Sequence, residues 1–273
     1  MHDPGLKQAA RACLRDAKTD PRKVALAYLL IVAFLDIGYS LVSTLLETGL
    51  EQTTGLSALS AAGLLRNRNI WYAAAPILLW VLGTLLSAGY VSWSLGVSRG
   101  RDVGYGALLD GFRSCGRVLW LTVLESLLIM LWSMLFVIPG IVAAYRYRMA
   151  MWILMNDPGV TAMEAINESK RITAGHKLEL FILDVSFWWY YLLLFAVSMA
   201  GSVESIAAYL TELGLMSGTL SLSLWQSFGL GSLCEVLTLV IQLCCLPYVQ
   251  TTYAHAFHYL KQLGDDRYLG TRA

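Results

Sequence analysis

The chain has 273 residues, of which 57% are hydrophobic and only 14% charged, with a net charge of +1. Soluble domains carry roughly 45–50% apolar and about 25% charged residues, so this chain has too little charge to cover a water-facing surface. A net charge near zero also supplies no global field for nucleic acid or an acidic partner. The pattern predicts an all-α, polytopic membrane helical bundle forming one integral-membrane domain over residues 1–273.

The N-terminus comes first. Asp3-Pro4 opens an amphipathic helix within residues 1–22, with Leu6, Ala10, Cys13, Leu14 and Ala17 on one side. Lys7, Arg11, Arg15 and Lys18 take the other, a basic face suited to anionic headgroups or to water. Asp20-Pro21 then restarts the chain into the first apolar segment. The basic region reaches Lys23 and the apolar run is about twice a signal-peptide core, so this segment is expected to stay as a membrane helix.

A span needs about 20 mostly apolar residues. Residues 23–46, 70–97, 117–138 and 178–200 qualify, as does 229–253 despite Glu235 and Pro247. The segment 140–156 is short and contains Arg146 and Arg148. Two central arginines cost about 5–7 kcal/mol on insertion scales. Charge distribution nevertheless favours a crossing. With Pro139-Gly140 as a tight hairpin turn and 140–156 as the return, the inner side holds sixteen Lys/Arg and the outer side two. Six transmembrane helices with both termini cytoplasmic are therefore expected.

Short helices precede the hairpins. Residues 158–176 read as a cytoplasmic amphipathic helix, with Thr161 and Glu164 as a capping box and Gly175 as the left-handed stop. Ala165, Ile166, Ser169 and Ile172 share its apolar face. A weaker copy runs from Asp102 to Arg113, with Tyr105, Leu108, Leu109 and Phe112 on one face. Gly116 to Glu125 reads like Gly175 to Asp184, and Pro139 with Tyr145 like Pro247 with Tyr253. These copies suggest a three-fold hairpin repeat.

Charges inside the membrane are costly and face a partner or a watery cavity. At about 1.5 Å of rise per residue, Glu125, Asp184 and Arg148 fall at similar depth. They are expected to form an ion network, completed by Arg146, Asp36 and Glu235. Arg146 and Arg148 point about 200° apart, so they cannot share one partner. Either the network fixes helix register, or it lines a substrate or proton pathway. His255 and His258 share a face, but no third ligand stands at a metal-site spacing. The Trp188-Trp189-Tyr190-Tyr191 cluster reads as packing or an interfacial belt. Gly83 and Gly89 read as sites of close helix packing. The five cysteines show neither a disulfide framework nor a metal spacing.

Hydrolase, P-loop and dinucleotide signatures are absent. Neither an enzyme nor a cofactor or metal is expected. The stretch from Ile138 to Phe187, IPGIVAAYRYRMA through NDPGVTAMEAINESKRITAGHKLELFILDVSF, resembles the bacterial integral-membrane family known as domain of unknown function 975. Pro247-Tyr248, Thr252-Tyr253-Ala254 and Phe257-His258-Tyr259 fit that family's closing segment. The resemblance implies a six-helix membrane protein without an established activity. It also implies a distant similarity to the membrane region preceding some glycerophosphodiester phosphodiesterase domains, whose catalytic part this chain lacks. The expected function is a non-enzymatic membrane module associating with membrane lipids or another membrane protein, accessory to transport or envelope maintenance. The alternative is a small-solute transporter or channel lined by the intramembrane Arg, Glu and Asp residues. The oligomeric state is left open.

Overall fold

The computed structural model describes residues 4–17, 19–51, 58–101, 103–202 and 224–270. Asp3, Lys18, Asp102 and most of the 201–228 loop lie outside them. Every regular element among the described residues is helical. In chain order they are α1 (Pro4–Asp16), α2 (Pro21–Glu51), α3 (Ala58–Ser98), a 3-10 turn (Tyr105–Leu109), α4 (Asp110–Arg113) and α5 (Cys115–Leu135). After these come α6 (Val137–Tyr147), α7 (Ala150–Asn156), α8 (Ala162–Ile172), α9 (Lys177–Val185), α10 (Trp188–Gly201) and α11 (Leu224–Gly270).

Among the described residues four helices are long and apolar enough to cross a membrane: Pro21–Ser43, Ile70–Ser98, Cys115–Leu135 and Leu233–Asp266. The pair α9–α10, bent by 55°, makes a fifth if it is one span. Large apolar side chains cover the outside of these helices, Phe34 and Leu131 among them at 77% and 66% exposure. In water such a surface would aggregate; in hydrocarbon it is the expected exterior. The last helix runs well past the expected end at 253. Pro247 lies inside it, and the Thr251 hydroxyl donates to the Pro247 carbonyl at 2.7 Å.

α5 and α6 form an antiparallel hairpin whose turn differs from expectation. Pro139 and Gly140 are helical residues of α6, and the break falls at Phe136, with φ −162° and ψ 153°. The reason is local. Proline has no N–H to lose in a helix's first turn and its fixed φ suits that turn. Gly140 lets the two helices touch: a Cβ there would stand 2.2 Å from the Ser133 Oγ.

Two further expectations change. The 102–113 segment is not an amphipathic α-helix but a 3-10 turn joined to the single turn of α4. Ala107 and Leu108 are buried, while Tyr105, Leu109 and Phe112 are exposed. Glycine decides this packing. A Cβ on Gly89 would meet the Leu108 carbonyl oxygen at 2.0 Å, and one on Gly111 the Leu85 carbonyl oxygen at 2.0 Å. Gly83, expected to do the same, has open space around it.

α1 is the second change. Its Ala10 is fully buried, and two of its basic residues lie over rings of the bundle. The Lys7 ammonium sits 4.6 Å from the Phe187 ring centre and the Arg11 guanidinium 5.2 Å from that of Tyr248. Such cation–π contacts hold the helix against α11 and the α9–α10 bend. Asp20 then caps α2, accepting from the Arg22 N–H at 3.0 Å.

The core has two parts. One gathers Leu121, Met149, Ile166, Leu180, Phe187 and Phe257 from α5 to α11. The other joins Val24, Tyr90, Trp93 and Leu108 around α2, α3 and the 3-10 turn. Trp188, Trp189 and Tyr191 face outward, whereas Tyr190 is buried.

Candidate functional site

The return path after α5 is interrupted at Arg148-Met149, between α6 and α7. A broken helix frees backbone groups, which must find partners where water is scarce. Here α8 supplies them. The Ser169 hydroxyl donates to the Arg146 carbonyl at 2.9 Å and accepts from the Met149 N–H at 3.2 Å. The Thr173 hydroxyl, which donates to the Ser169 carbonyl at 2.7 Å, also lies 3.2 Å from the Arg146 carbonyl. Both side chains are fully buried.

α8 is held in place by its own ends. Thr161 and Glu164 form the capping box, with the Thr161 N–H donating to the Glu164 carboxylate at 2.8 Å. That backbone donor, followed by the Thr161 hydroxyl, keeps the Glu164 carboxyl below the usual carboxylate range. Gly175 takes a φ of +86°, the left-handed stop that ends the segment. Ala165, Ile166, Ser169 and Ile172 are all buried against the bundle.

Arg148, placed at the break, forms a fork-shaped pair with Asp184 of α9, at 2.8 and 3.0 Å. Tyr145 donates to the same carboxylate at 2.8 Å, and Tyr253 of α11 donates to its other oxygen. The guanidinium lies 4.8 Å from the Tyr253 ring centre and 5.6 Å from that of Tyr145. Asp184 therefore receives every hydrogen bond it needs from within the protein. The cluster ties α6, α9 and α11 together, two residues before the bend that separates α9 from α10.

The wider network does not assemble. Glu125 is half-buried in α5, and no described residue pairs with it. Asp36 and Glu235 are exposed on α2 and α11 and join no ion pair among the described residues. The Arg146 guanidinium likewise meets no carboxylate among them; the break uses only its carbonyl. Depth along each helix was readable from the chain, but azimuth was not. A residue on the correct level can still face away from the cluster. The two tyrosines and Ser169 are what sequence reasoning missed. Their signal was present in Pro139-x5-Tyr145 and Pro247-x5-Tyr253, and in a serine on an otherwise apolar helix face.

One end of the bundle opens into a basin. α7 ends there at Asn156, beside the C-terminal end of α3 and the last turns of α11. A cavity of about 700 Å³ is lined by Asn156, Asp157, Glu164, Glu168, Arg171 and Lys261, among others. Arg171 is fixed at its rim by Glu168 at 2.5 Å and Asp265 at 3.1 Å. The His258 Nε2 lies 3.0 Å from the Ser98 hydroxyl, and no group of three metal-ligating side chains occurs among the described residues. All five cysteines are unpaired.

Long apolar helices, an apolar exterior and a charge cluster satisfied from within define a membrane-embedded, multi-pass α-helical protein. Residues 134–263 match the model of a family described as "Protein of unknown function (DUF975)". The matched region holds both helix breaks, Arg148, Asp184, α8 and Tyr253. No curated protein and no solved structure matches the chain. The further likeness to the membrane region of glycerophosphodiester phosphodiesterases gains no support from these comparisons.

Proposed function

We propose that the chain is a non-enzymatic membrane module that associates with lipids or partner membrane proteins, accessory to transport or envelope maintenance. The observation that carries this reading is the saturation of Asp184 by Arg148, Tyr145 and Tyr253. A carboxylate committed to three side chains of its own bundle suits a lock on helix register better than a stepping stone for a passing solute.

The module is read as six-span, in a bacterial plasma membrane, with both termini cytoplasmic. Support comes from Arg117, the third residue of α5, whose guanidinium donates to the carbonyls of Pro158 and Val160 just beyond α7. The broken pair α6–α7 thus retraces α5 along its whole length. This favours reading the broken pair as a return crossing if α5 crosses. The repeat enters through Tyr145 and Tyr253, which occupy matching positions after a proline and meet on one carboxylate.

Transport remains the second reading, on one specific observation. The Arg148–Asp184 pair sits beside two interrupted helices, α6–α7 and α9–α10, and interrupted helices commonly build the substrate sites of transporters.

The test is mass spectrometry of the protein purified gently from its native membrane, reading proteins and lipids together. A stoichiometric protein partner or an enriched lipid is the expected result. A protein that retains neither, but carries one small solute, would replace this reading with transport.

A further inference from the structure

The basin described above continues into a second cavity of about 430 Å³, framed by the ends of α3 and α7 and by α11. Its charges are unbalanced. Asp265 is the one acidic side chain among its lining residues, and it shares the Arg171 guanidinium with Glu168. Against it stand Arg99 and Lys261. The Arg99 guanidinium donates to the neutral amide oxygen of Asn156, and neither cation has a carboxylate partner among the described residues.

The remaining polar groups add donors. The Ser98 hydroxyl gives its only hydrogen to the Leu95 carbonyl at 2.9 Å. The His258 Nε2 lies 3.0 Å from the same hydroxyl. His255 also lines the cavity, and its buried Nε2 has no hydrogen-bond partner among the described residues. Burial, and after it the neighbouring Arg101, lowers the Arg99 pKa from its ordinary value. A cavity of this kind repels metal cations and favours an oxyanion, which a guanidinium can hold through two parallel hydrogen bonds.

We infer that this cavity seats one phosphate group, held by Arg99 and Lys261 with Asn156 positioning the guanidinium. The phosphate belongs either to a phospholipid headgroup or to a free anion. The first source rests on the lipid-associating reading above; the charge of the cavity does not.

The test uses the full chain in a neutral maltoside detergent, as wild type and as Arg99→Gln/Lys261→Gln. A third sample, Arg22→Gln/Arg113→Gln, removes the same charge elsewhere. Native mass spectrometry follows titration with phosphatidylglycerol and with phosphatidylcholine, and calorimetry follows titration with inorganic phosphate. One bound phosphate per chain is expected, weakened at least tenfold in the Arg99/Lys261 variant and unchanged in the control. Thermal melts in the same detergent check that the fold is intact. If the double variant unfolds, the single changes are expected each to weaken binding several-fold.

Binding in the lipid arm identifies a headgroup; binding in the calorimeter identifies a free anion. No binding to wild type in either arm, or equal binding by the Arg99/Lys261 variant, would overturn the inference. Phosphate binding without lipid binding would sink the lipid reading and leave the cavity's role standing. Equal lipid retention by both proteins would do the reverse.

Discussion

Tyr145 and Tyr253 donate to opposite oxygens of one carboxylate, that of Asp184. Each stands six residues after a proline, and the two tyrosines are more than a hundred residues apart in the chain. Between them Arg148 completes the shell at 2.8 and 3.0 Å. Helix register around this point is thus fixed from three directions. Tyr145→Phe and Tyr253→Phe are each expected to lower stability by about 1–2 kcal/mol.

Removing one charge should cost more than removing a phenol. Arg148→Met or Asp184→Leu leaves the other ion without its partner, a loss of about 3 kcal/mol. The double change Arg148→Met/Asp184→Leu is expected to recover most of it, because no lone charge then remains. Denaturant or thermal unfolding in detergent, treated as a double-mutant cycle, gives the coupling. A double variant that folds but fails to transport a solute carried by the wild type would instead support the pathway reading.

Ser169 bridges the helix break, and its loss should be felt there first. Ser169→Ala removes a donor to the Arg146 carbonyl and an acceptor for the Met149 N–H. A destabilisation of about 1–3 kcal/mol is expected. Hydrogen exchange at Met149 and Ala150 should accelerate more than exchange in α5.

Gly140 is expected to be intolerant of a side chain. The Cβ of Gly140→Ala would meet Ser133 at 2.2 Å from its Oγ and 3.0 Å from its Cα. Forcing α5 and α6 apart should cost about 1–3 kcal/mol. Gly83→Ala, with open space around it, should be neutral or stabilise by up to about 1 kcal/mol through helix propensity. Parallel melts of the two variants check the contrast.

The capping box of α8 gives a pH dependence of defined sign. The Glu164 carboxyl is depressed in the folded protein, first by the Thr161 N–H and then by its hydroxyl. The unfolded chain consequently binds a proton more readily, and stability rises with pH through this window. The contribution is complete above the ordinary glutamate value of 4.5 and disappears as pH falls through the lower folded value. Glu164→Gln should flatten this acid limb, measured as amide protection at the start of α8.

Topology is open to chemical labelling. In a chain with its five cysteines replaced, Gln8→Cys and Asn167→Cys each introduce one exposed thiol. If α6–α7 crosses, a membrane-impermeant maleimide labels both from the same side. Labelling from opposite sides would show that the broken pair does not cross.

The chain alone determined the solvent, the helical class and the ends of α8. These follow from quantities carried along one dimension: apolar run length, charge density, and capping residues three positions apart. Only tertiary structure decided which charges meet. Glu125 and Asp184 occupy matching places in similar sequence, yet Asp184 is hydrogen-bonded by three side chains and Glu125 by none among the described residues. The difference lies in how each helix is rotated and where the chain breaks, and that depends on neighbours distant in sequence. The turn at Phe136 and the joining of the Arg148 break to Ser169 have the same origin. Close packing through Gly140 and buried backbone groups in need of partners act only once the helices are side by side.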